Sequence, residues 1–206
     1  MQRIFRTGVL LAGALASTLT LAAQQSPQRP RSVYVSETNV AVLFDFERAQ
    51  VAQTGSPSFW LKGGSADASV TFFKGLGIAA NFTGEHATGI SSNVSLGKFA
   101  FMAGPRYIFD SSKYTDRMTK KHHTELFGEW LFGGAHAFDS TFPGTSGVQT
   151  SASAFSMQLG GGLDVGISNG FGIRALEVDL IHTNLPNNAG NSQNDFRIGF
   201  GISYRR

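Results

Sequence analysis

From residue 39 onward, apolar side chains occupy every second position of the chain, with small or polar side chains between them. A period of two is typical of β-strands, whereas a helix repeats its apolar residues about every 3.6 positions. In the first run, Phe44 and Phe46 share one face while Asp45 and Glu47 share the other. Eight such runs follow one another, over residues 40–47, 66–72, 78–85, 99–109, 129–133, 157–165, 176–180 and 196–204.

Short and long connections alternate between these predicted strands. Lys74-Gly75 joins the second and third strands, and Ser168-Asn169-Gly170 joins the sixth and seventh, where Asn-Gly is a strong hairpin signal. The segment 110–123 between the fourth and fifth strands is longer than the short turn expected there. The remaining connections are rich in Gly, Ser, Asn and Pro, which predicts loops over residues 48–58, 86–93, 138–153 and 184–194.

The chemistry of the two strand faces indicates which solvent each one meets. One face is rich in Phe, of which the chain has 18, and the other carries Gly, Ser, Thr and Asn with isolated charges. Charged residues make up only 15% of the chain, whereas the outer face of a soluble sandwich usually carries many Lys and Glu. Large apolar side chains outside and small polar ones inside are what a transmembrane barrel requires. A bilayer also requires the sheet to close, because it cannot hydrogen-bond to an open edge. The pattern therefore predicts an all-β fold, an eight-stranded antiparallel up-and-down transmembrane β-barrel with its longer loops outside the cell.

The first residues of the chain have the layout of a secretory signal peptide. Arg3 and Arg6 precede an uncharged apolar stretch, which small residues follow. We predict a signal peptide over residues 1–23 with cleavage after Ala23, or alternatively after Ala22. A flexible lead-in over 24–38 and the barrel over 39–206 follow. The expected location is the outer membrane of a Gram-negative type of cell.

Composition excludes several kinds of site. The chain has no Cys, so it can form neither a disulfide nor a thiolate metal site. Its formal net charge is +3, and the basic residues are scattered rather than clustered, which argues against nucleic-acid binding. We expect no metal and no cofactor.

Three segments carry a resemblance to a known family. Residues 101–107 (FMAGPRY), 160–165 (GGGLDV) and 173–179 (IRALEVD) resemble the fourth, sixth and seventh strands of bacterial outer-membrane β-barrel domain proteins. These barrels are similar to the transmembrane domain of outer-membrane protein A. The resemblance covers nearly the whole mature chain. We expect the barrel to be a monomer surrounded by outer-membrane lipid.

The last strand resembles the signal by which such barrels are recognised during assembly. Arg197, Gly199, Ile202 and Tyr204 supply its polar, glycine, hydrophobic and aromatic positions. The resemblance implies recognition by the barrel-assembly machinery. The family often ends on Phe or Tyr, and this chain departs from that pattern because two arginines follow Tyr204.

Several charged residues fall on the inward face of the predicted strands. The interior of an eight-stranded barrel is filled by side chains, and an unpaired charge there is costly. We therefore predict a plug of paired charges rather than a narrow or gated pore. Its members are Arg106, Glu129, Asp164, Glu177, Asp179 and Arg197.

No catalytic constellation emerges from the sequence. His182 lies near Asp179 and Thr183, but strand alternation places His182 and Asp179 on opposite faces, which is poor geometry for a catalytic base and its carboxylate. The adjacent His122 and His123 cannot both face one metal from a strand.

The sequence therefore favours a non-enzymatic outer-membrane barrel with a structural or surface-interaction role, whose outer loops carry any binding. The alternative is a small passive pore, or a carrier of lipid or small molecules across the outer membrane. A soluble barrel of lipocalin type would need the Phe-rich face inside.

Overall fold

The chain folds into eight β-strands. The computed structural model describes residues 37–49, 58–91, 94–110, 124–144, 147–168, 170–187 and 190–206. The strands are β1 (Glu37–Ala49), β2 (Phe59–Phe73), β3 (Leu76–Ser91), β4 (Val94–Asp110), β5 (Thr124–Gly144), β6 (Gly147–Gly166), β7 (Phe171–Thr183) and β8 (Gln193–Arg205).

The strands form one closed barrel in chain order, each antiparallel to its neighbours. β1 and β8 complete the ring, with Val40 opposite Tyr204 and Phe44 opposite Phe200. The backbones of Thr38 and Arg206 exchange two further hydrogen bonds of 2.9 Å at this seam. Closure leaves no unpaired sheet edge, and the predicted up-and-down eight-stranded barrel is confirmed.

The barrel is apolar outside and polar inside. Phe44, Phe101 and Ile202 are 69%, 59% and 65% exposed, although they lie within long strands. Inward residues on the same strands, such as Asp45 and Arg197, are 2% and 1% exposed. This arrangement inverts that of a soluble barrel, and it excludes the lipocalin-type alternative because the Phe-rich face is the outer one.

The short connections lie at one end of the barrel. Lys74 and Gly75 form a two-residue turn between β2 and β3, with φ angles of 44° and 89°. Positive φ at both central residues is the geometry that joins two twisted strands tightly. Gly170, in the β6–β7 turn, also has a positive φ, of 80°.

Two of the predicted loops are instead strands. β3 continues to Ser91 and β4 begins at Val94, so residues 86–91 belong to a strand, with an irregular register between Ala87 and Ser91. β5 and β6 remain paired as far as Gly144 and Gly147, and this β5–β6 hairpin projects beyond Phe138, where the pairing of β5 with β4 ends. The prediction of loops from small polar residues was wrong here. Backbone hydrogen bonds between neighbouring strands stabilise the sheet even where the side chains are small and polar.

The ends of the predicted barrel differ slightly from the expectation. β1 begins at Glu37, two residues inside the segment assigned to the lead-in. The predicted signal peptide, the 110–123 turn after its first residue, and His122-His123 lie outside the described residues. Within the described ranges, no helix is long and apolar enough to cross a membrane.

The face assignment predicts the cost of placing charge on the outer surface. We expect Phe44→Arg to lower the free energy of unfolding in lipid vesicles by about 2–4 kcal/mol, because Phe44 lies mid-strand on the lipid-facing side. The matched control is Val148→Arg, at an exposed position on the projecting hairpin, where arginine remains in water. Urea titration of both variants measures the difference, and equal costs would contradict a lipid-facing Phe44.

Candidate functional site in the barrel lumen

The lumen is lined by buried charged side chains in which acids outnumber bases. All six residues that the sequence assigns to a charge network have inward-facing side chains, and none is more than 6% exposed. The buried acids among the described residues are Asp45, Glu47, Asp67, Glu85, Glu125, Glu129, Asp164, Glu177, Asp179 and Asp195. The buried bases there are Lys98, Arg106, Arg174 and Arg197.

Arg106 on β4 connects three strands across the lumen. Its Nη1 and Nη2 atoms donate to Oδ1 and Oδ2 of Asp67 on β2, each at 2.7 Å. Its Nε donates to Oε2 of Glu129 on β5 at 2.8 Å, and Nη1 also donates to Ser69 Oγ at 3.1 Å. A two-pronged guanidinium–carboxylate pair fixes geometry as well as charge.

Arg174 on β7 forms the next part of the network. Its Nε and Nη2 donate to Asp164 at 2.8 and 3.0 Å, and its Nη1 donates to Glu177 at 2.8 Å and Asp67 at 3.0 Å. Asp67 therefore accepts from both Arg106 and Arg174. The Phe127 ring lies against both guanidinium groups, with centroid distances of 4.3 and 4.5 Å, which adds a cation–π contact to each.

Arg197 on β8 extends the network toward the outer end. It donates from Nε and Nη2 to Asp179 Oδ2 at 3.0 and 2.8 Å, and from Nη1 to Thr83 Oγ1 at 2.6 Å. Its Nη2 also donates to Gln158 Oε1 at 2.8 Å. Because Gln158 Nε2 donates to Glu129 at 2.9 Å, the three arginines belong to one bonded network.

A separate cluster lies further toward the outer end of the barrel. The ammonium of Lys98 on β4 pairs closely with Glu47 on β1, and it lies 3.4 Å from Oε2 of Glu85 on β3. On the β3–β5 side, apolar side chains occupy the lumen in place of ions. They are Ala79, Ala100, Met102, Leu131 and Ala135.

Strand alternation alone does not reveal Arg174. Its even number matches the outward face of β7, defined by Leu176 and Leu180, yet it is 1% exposed. A β-bulge shifts the register between Arg174 and Glu177, so that Arg174 and Glu177 both face inward. An extra residue of this kind reverses the alternation. One signal in the sequence could have revealed the bulge. Uninterrupted alternation would place Arg174 in mid-strand facing lipid, which is unfavourable for a charged side chain.

Two further lumen carboxylates could have been predicted from strand alternation. Asp67 shares its inward parity with Ser69, and Glu85 shares its parity with Asn81. Lys98 lies between the predicted loop over 86–93 and the alternating run that begins at Phe99, so alternation does not predict which face its side chain occupies. The carboxylates Asp67 and Glu85 are as deeply buried as the residues that were singled out.

Three lumen carboxylates lie close enough together to hold a cation. Ligand atoms of Glu129, Glu177 and Asp179 lie within 4.8 Å of one another. Each of these residues accepts hydrogen bonds from one of the three arginines. In this structure, guanidinium groups therefore supply the positive charge that these carboxylates require.

The histidines of the described chain lack the partners of a catalytic base. His182 Nδ1 lies 2.8 Å from Asn194 Oδ1, while Asp179 faces inward and pairs with Arg197. His136 Nδ1 lies 2.8 Å from Ser153 Oγ, on the exposed side of the β5–β6 hairpin. Within the described part of the chain, the His136 imidazole has no carboxylate partner to orient it, which the usual serine–histidine arrangement requires.

The residues of the predicted assembly signal divide between the two faces of β8. Arg197 and Gly199 face inward, whereas Ile202 and Tyr204 are exposed on the outer surface. Gly199 lies against β1, where an added Cβ atom would come within 2.5 Å of Asp45 Oδ1. The role of these residues in assembly stays a prediction.

The change in the free energy of unfolding on replacing Arg174 with leucine has opposite signs for an inward-facing and a lipid-facing arginine. We expect Arg174→Leu to lower the free energy of unfolding by about 3–5 kcal/mol, because it leaves buried carboxylates without their cation. The control is Arg48→Leu at an exposed position, for which we expect a change within about 0.5 kcal/mol. Urea unfolding in vesicles measures both. If Arg174 faced lipid, its replacement by leucine would stabilise the barrel.

Comparison with known proteins places this architecture among solved membrane barrels. No family model and no curated protein matches the chain. Ail, the attachment invasion locus protein of Yersinia pestis, solved with the heparin analogue sucrose octasulfate, aligns with a TM-score of 0.52 at 17% identity. That alignment covers 83% of this chain and 99% of Ail. Neisserial surface protein A aligns with a TM-score of 0.54 at 9% identity, over 82% of this chain and 96% of that one.

At these identities the likeness establishes the fold. Both proteins are eight-stranded outer-membrane barrels of the kind represented by the domain of outer-membrane protein A. The resemblance noted in the sequence is therefore confirmed at the level of the fold, and this chain has the architecture of the small outer-membrane β-barrels.

Proposed function

We propose that this protein is a non-enzymatic outer-membrane barrel with a structural or surface-interaction role, whose lumen is plugged by paired charges. The observation that carries the proposal is the network of Arg106, Arg174 and Arg197. Each guanidinium is at most 2% exposed and bonds to side chains on other strands.

The outer surface supports residence in the outer membrane. Phe, Leu, Ile and Val side chains are exposed around the barrel, and the closed sheet satisfies its own backbone hydrogen bonds. We further propose that the chain reaches this membrane through a cleaved signal peptide and the barrel-assembly machinery, and that it works there as a monomer without a cofactor.

The plug supports a closed lumen in the resting state. Opening a water-filled path along the barrel would require these arginines to leave their carboxylates, and separating a buried ion pair is strongly unfavourable. The buried apolar cluster around Met102 and Leu131 also lies within the lumen. These contacts favour a scaffold over the passive pore or carrier.

The projecting β5–β6 hairpin supports a role at the cell surface. Residues 147–150 are exposed, and the pairing of β5 with β4 ends at Phe138, so the hairpin stands beyond the neighbouring strand. The name of Ail describes attachment and invasion, which is one form that a surface-interaction role can take. We propose that the outer end of this barrel carries its binding.

Single-channel recording tests the plug. We expect the refolded wild-type protein to give no sustained current in planar bilayers. Arg106→Ala removes a guanidinium that joins β2, β4 and β5, and we expect it to produce openings. Arg48→Ala serves as the exposed control and should remain silent. A sustained wild-type conductance would favour the pore alternative, and heat-dependent gel mobility establishes whether each variant has folded.

Deletion of residues 141–150 tests whether the projecting hairpin is separate from the scaffold. Because Phe138 pairs with Ser151, the deletion leaves Asp139 and Ser140 as a two-residue turn. Asp139 already has a positive φ of 57°, which such turns require. With Ser140→Gly added, we expect the shortened protein to retain its heat-dependent gel mobility and a β-type circular dichroism spectrum. Loss of the folded barrel would show that the hairpin is structural.

A further inference from the structure

A column of small residues runs along the lipid-facing side of β2. Gly64, Ala66 and Ala68 occupy successive outward positions of this strand. Their neighbours on the adjoining strands are larger, with Phe44 of β1 opposite Gly64 and Phe82 of β3 opposite Ala66. These two rings are 69% and 52% exposed, so they stand above the column on either side. The outer surface therefore has a shallow apolar groove along β2.

The groove ends at two basic side chains. Lys62 occupies the next outward position of β2, and His86 on β3 lies directly opposite it in the register. Both side chains are exposed on the outer surface. Directly opposite residues of antiparallel strands have Cβ atoms about 4.5–5.5 Å apart. The Lys62 ammonium and an N–H of the His86 imidazole can therefore donate to one shared acceptor.

No carboxylate of the described residues pairs with Lys62 on this surface. The acidic residues of β1–β3 near this level are all buried on the lumen side of their strands, namely Asp45, Glu47, Asp67 and Glu85. Arg48 lies further toward the end of β1, and its Nε donates to Ser58 Oγ at 2.9 Å. The charge of Lys62 thus faces the surroundings of the barrel without an acidic neighbour.

The spacing of lysines along the chain places Lys62 at the edge of the apolar core of the membrane. Lys62 and Lys74 enclose residues 63–73, whose outward members are all small or apolar. A tilted strand needs about 9–11 residues to cross this core. Because Lys74 lies in a short turn at one end of the barrel, Lys62 lies at the level of the headgroups at the opposite, outer end.

We propose that this surface binds a lipid of the outer leaflet whose headgroup carries a negatively charged phosphate. The phosphate oxygens accept hydrogen bonds from Lys62 and His86, and one acyl chain lies in the groove over Ala66 and Ala68. The groove is what favours a lipid, because a soluble phosphate would meet the two donors and leave the apolar column uncovered. Basic residues at a membrane surface attract anionic lipids in the same way.

This site goes beyond the proposed scaffold role. It lies on the outer surface of the barrel, so it requires neither an open lumen nor the projecting β5–β6 hairpin. Lipid binding can fail while the barrel remains folded and closed, and the two proposals can therefore be tested separately.

Native mass spectrometry of the full mature protein in non-ionic detergent tests the proposal, because it counts the lipids that each folded molecule retains. The probes are dioleoylphosphatidate, dioleoylphosphatidylcholine and the tail-less glycerol phosphate. We expect the phosphatidate to bind about tenfold more tightly than the zwitterionic phosphatidylcholine, and glycerol phosphate to bind least.

Two pairs of variants assign that binding to the groove and its basic end. We expect Lys62→Gln to weaken phosphatidate binding about fivefold, because one cation near the headgroup is lost. The matched control is Lys74→Gln, which removes an exposed lysine from the other end of the same hairpin and should leave the affinity unchanged. Ala66→Phe fills the groove and should also weaken binding. Its control, Ala103→Phe, adds the same ring at an exposed position of β4 and should not.

Several outcomes would overturn the site. These are equal affinity for phosphatidate and phosphatidylcholine, equal losses in the two lysine variants, or equal losses in the two alanine variants. Glycerol phosphate binding as tightly as phosphatidate would assign the basic pair to a soluble phosphate and contradict the lipid. If Ala66→Phe does not fold by the gel-mobility test, the lysine pair still decides the question. Each contradicting result would leave the closed barrel intact, so the proposed function would survive it.

Discussion

The pairing of buried arginines with buried carboxylates in the barrel lumen is the interaction on which this structure depends. A single guanidinium there cannot be left without counter-ions, and each of the three finds them on other strands. Arg106 joins β2, β4 and β5, and Arg174 shares Asp67 with it. The barrel is therefore held together through its centre as well as around its circumference.

The bilayer imposes the complementary constraint on the outside. Backbone groups must be satisfied within the sheet, so β8 returns to β1, and side chains such as Phe44 and Ile202 face outward. Closing eight strands fixes a small interior, which the ionic network and the Met102–Leu131 cluster fill. A soluble protein places its apolar residues inside, away from water. The surroundings of this barrel are themselves apolar, so its apolar side chains face outward.

The two ends of the barrel differ in the chemistry of their buried side chains. The plug occupies the middle and the end with short turns, where Arg205 pairs with Glu37 at 2.9 Å. At the other end the ionic network gives way to apolar walls, because a register shift near Asp139 turns Phe142 inward.

The sequence by itself determined the number of strands, their antiparallel order and the face that a side chain occupies wherever the alternation is uninterrupted. These follow from the local geometry of an extended backbone, and residues such as Glu129 and Asp179 were placed from it. Only the tertiary structure decided that Arg174 faces inward, that β5 and β6 remain paired as far as Gly144 and Gly147, and that Phe142 is buried. The physical reason is that extra residues in one strand interrupt the alternation, one between Arg174 and Glu177 and two between Phe138 and Phe142, and their position depends on the register of the neighbouring strands. Which carboxylate each arginine meets depends likewise on the closure of the whole ring.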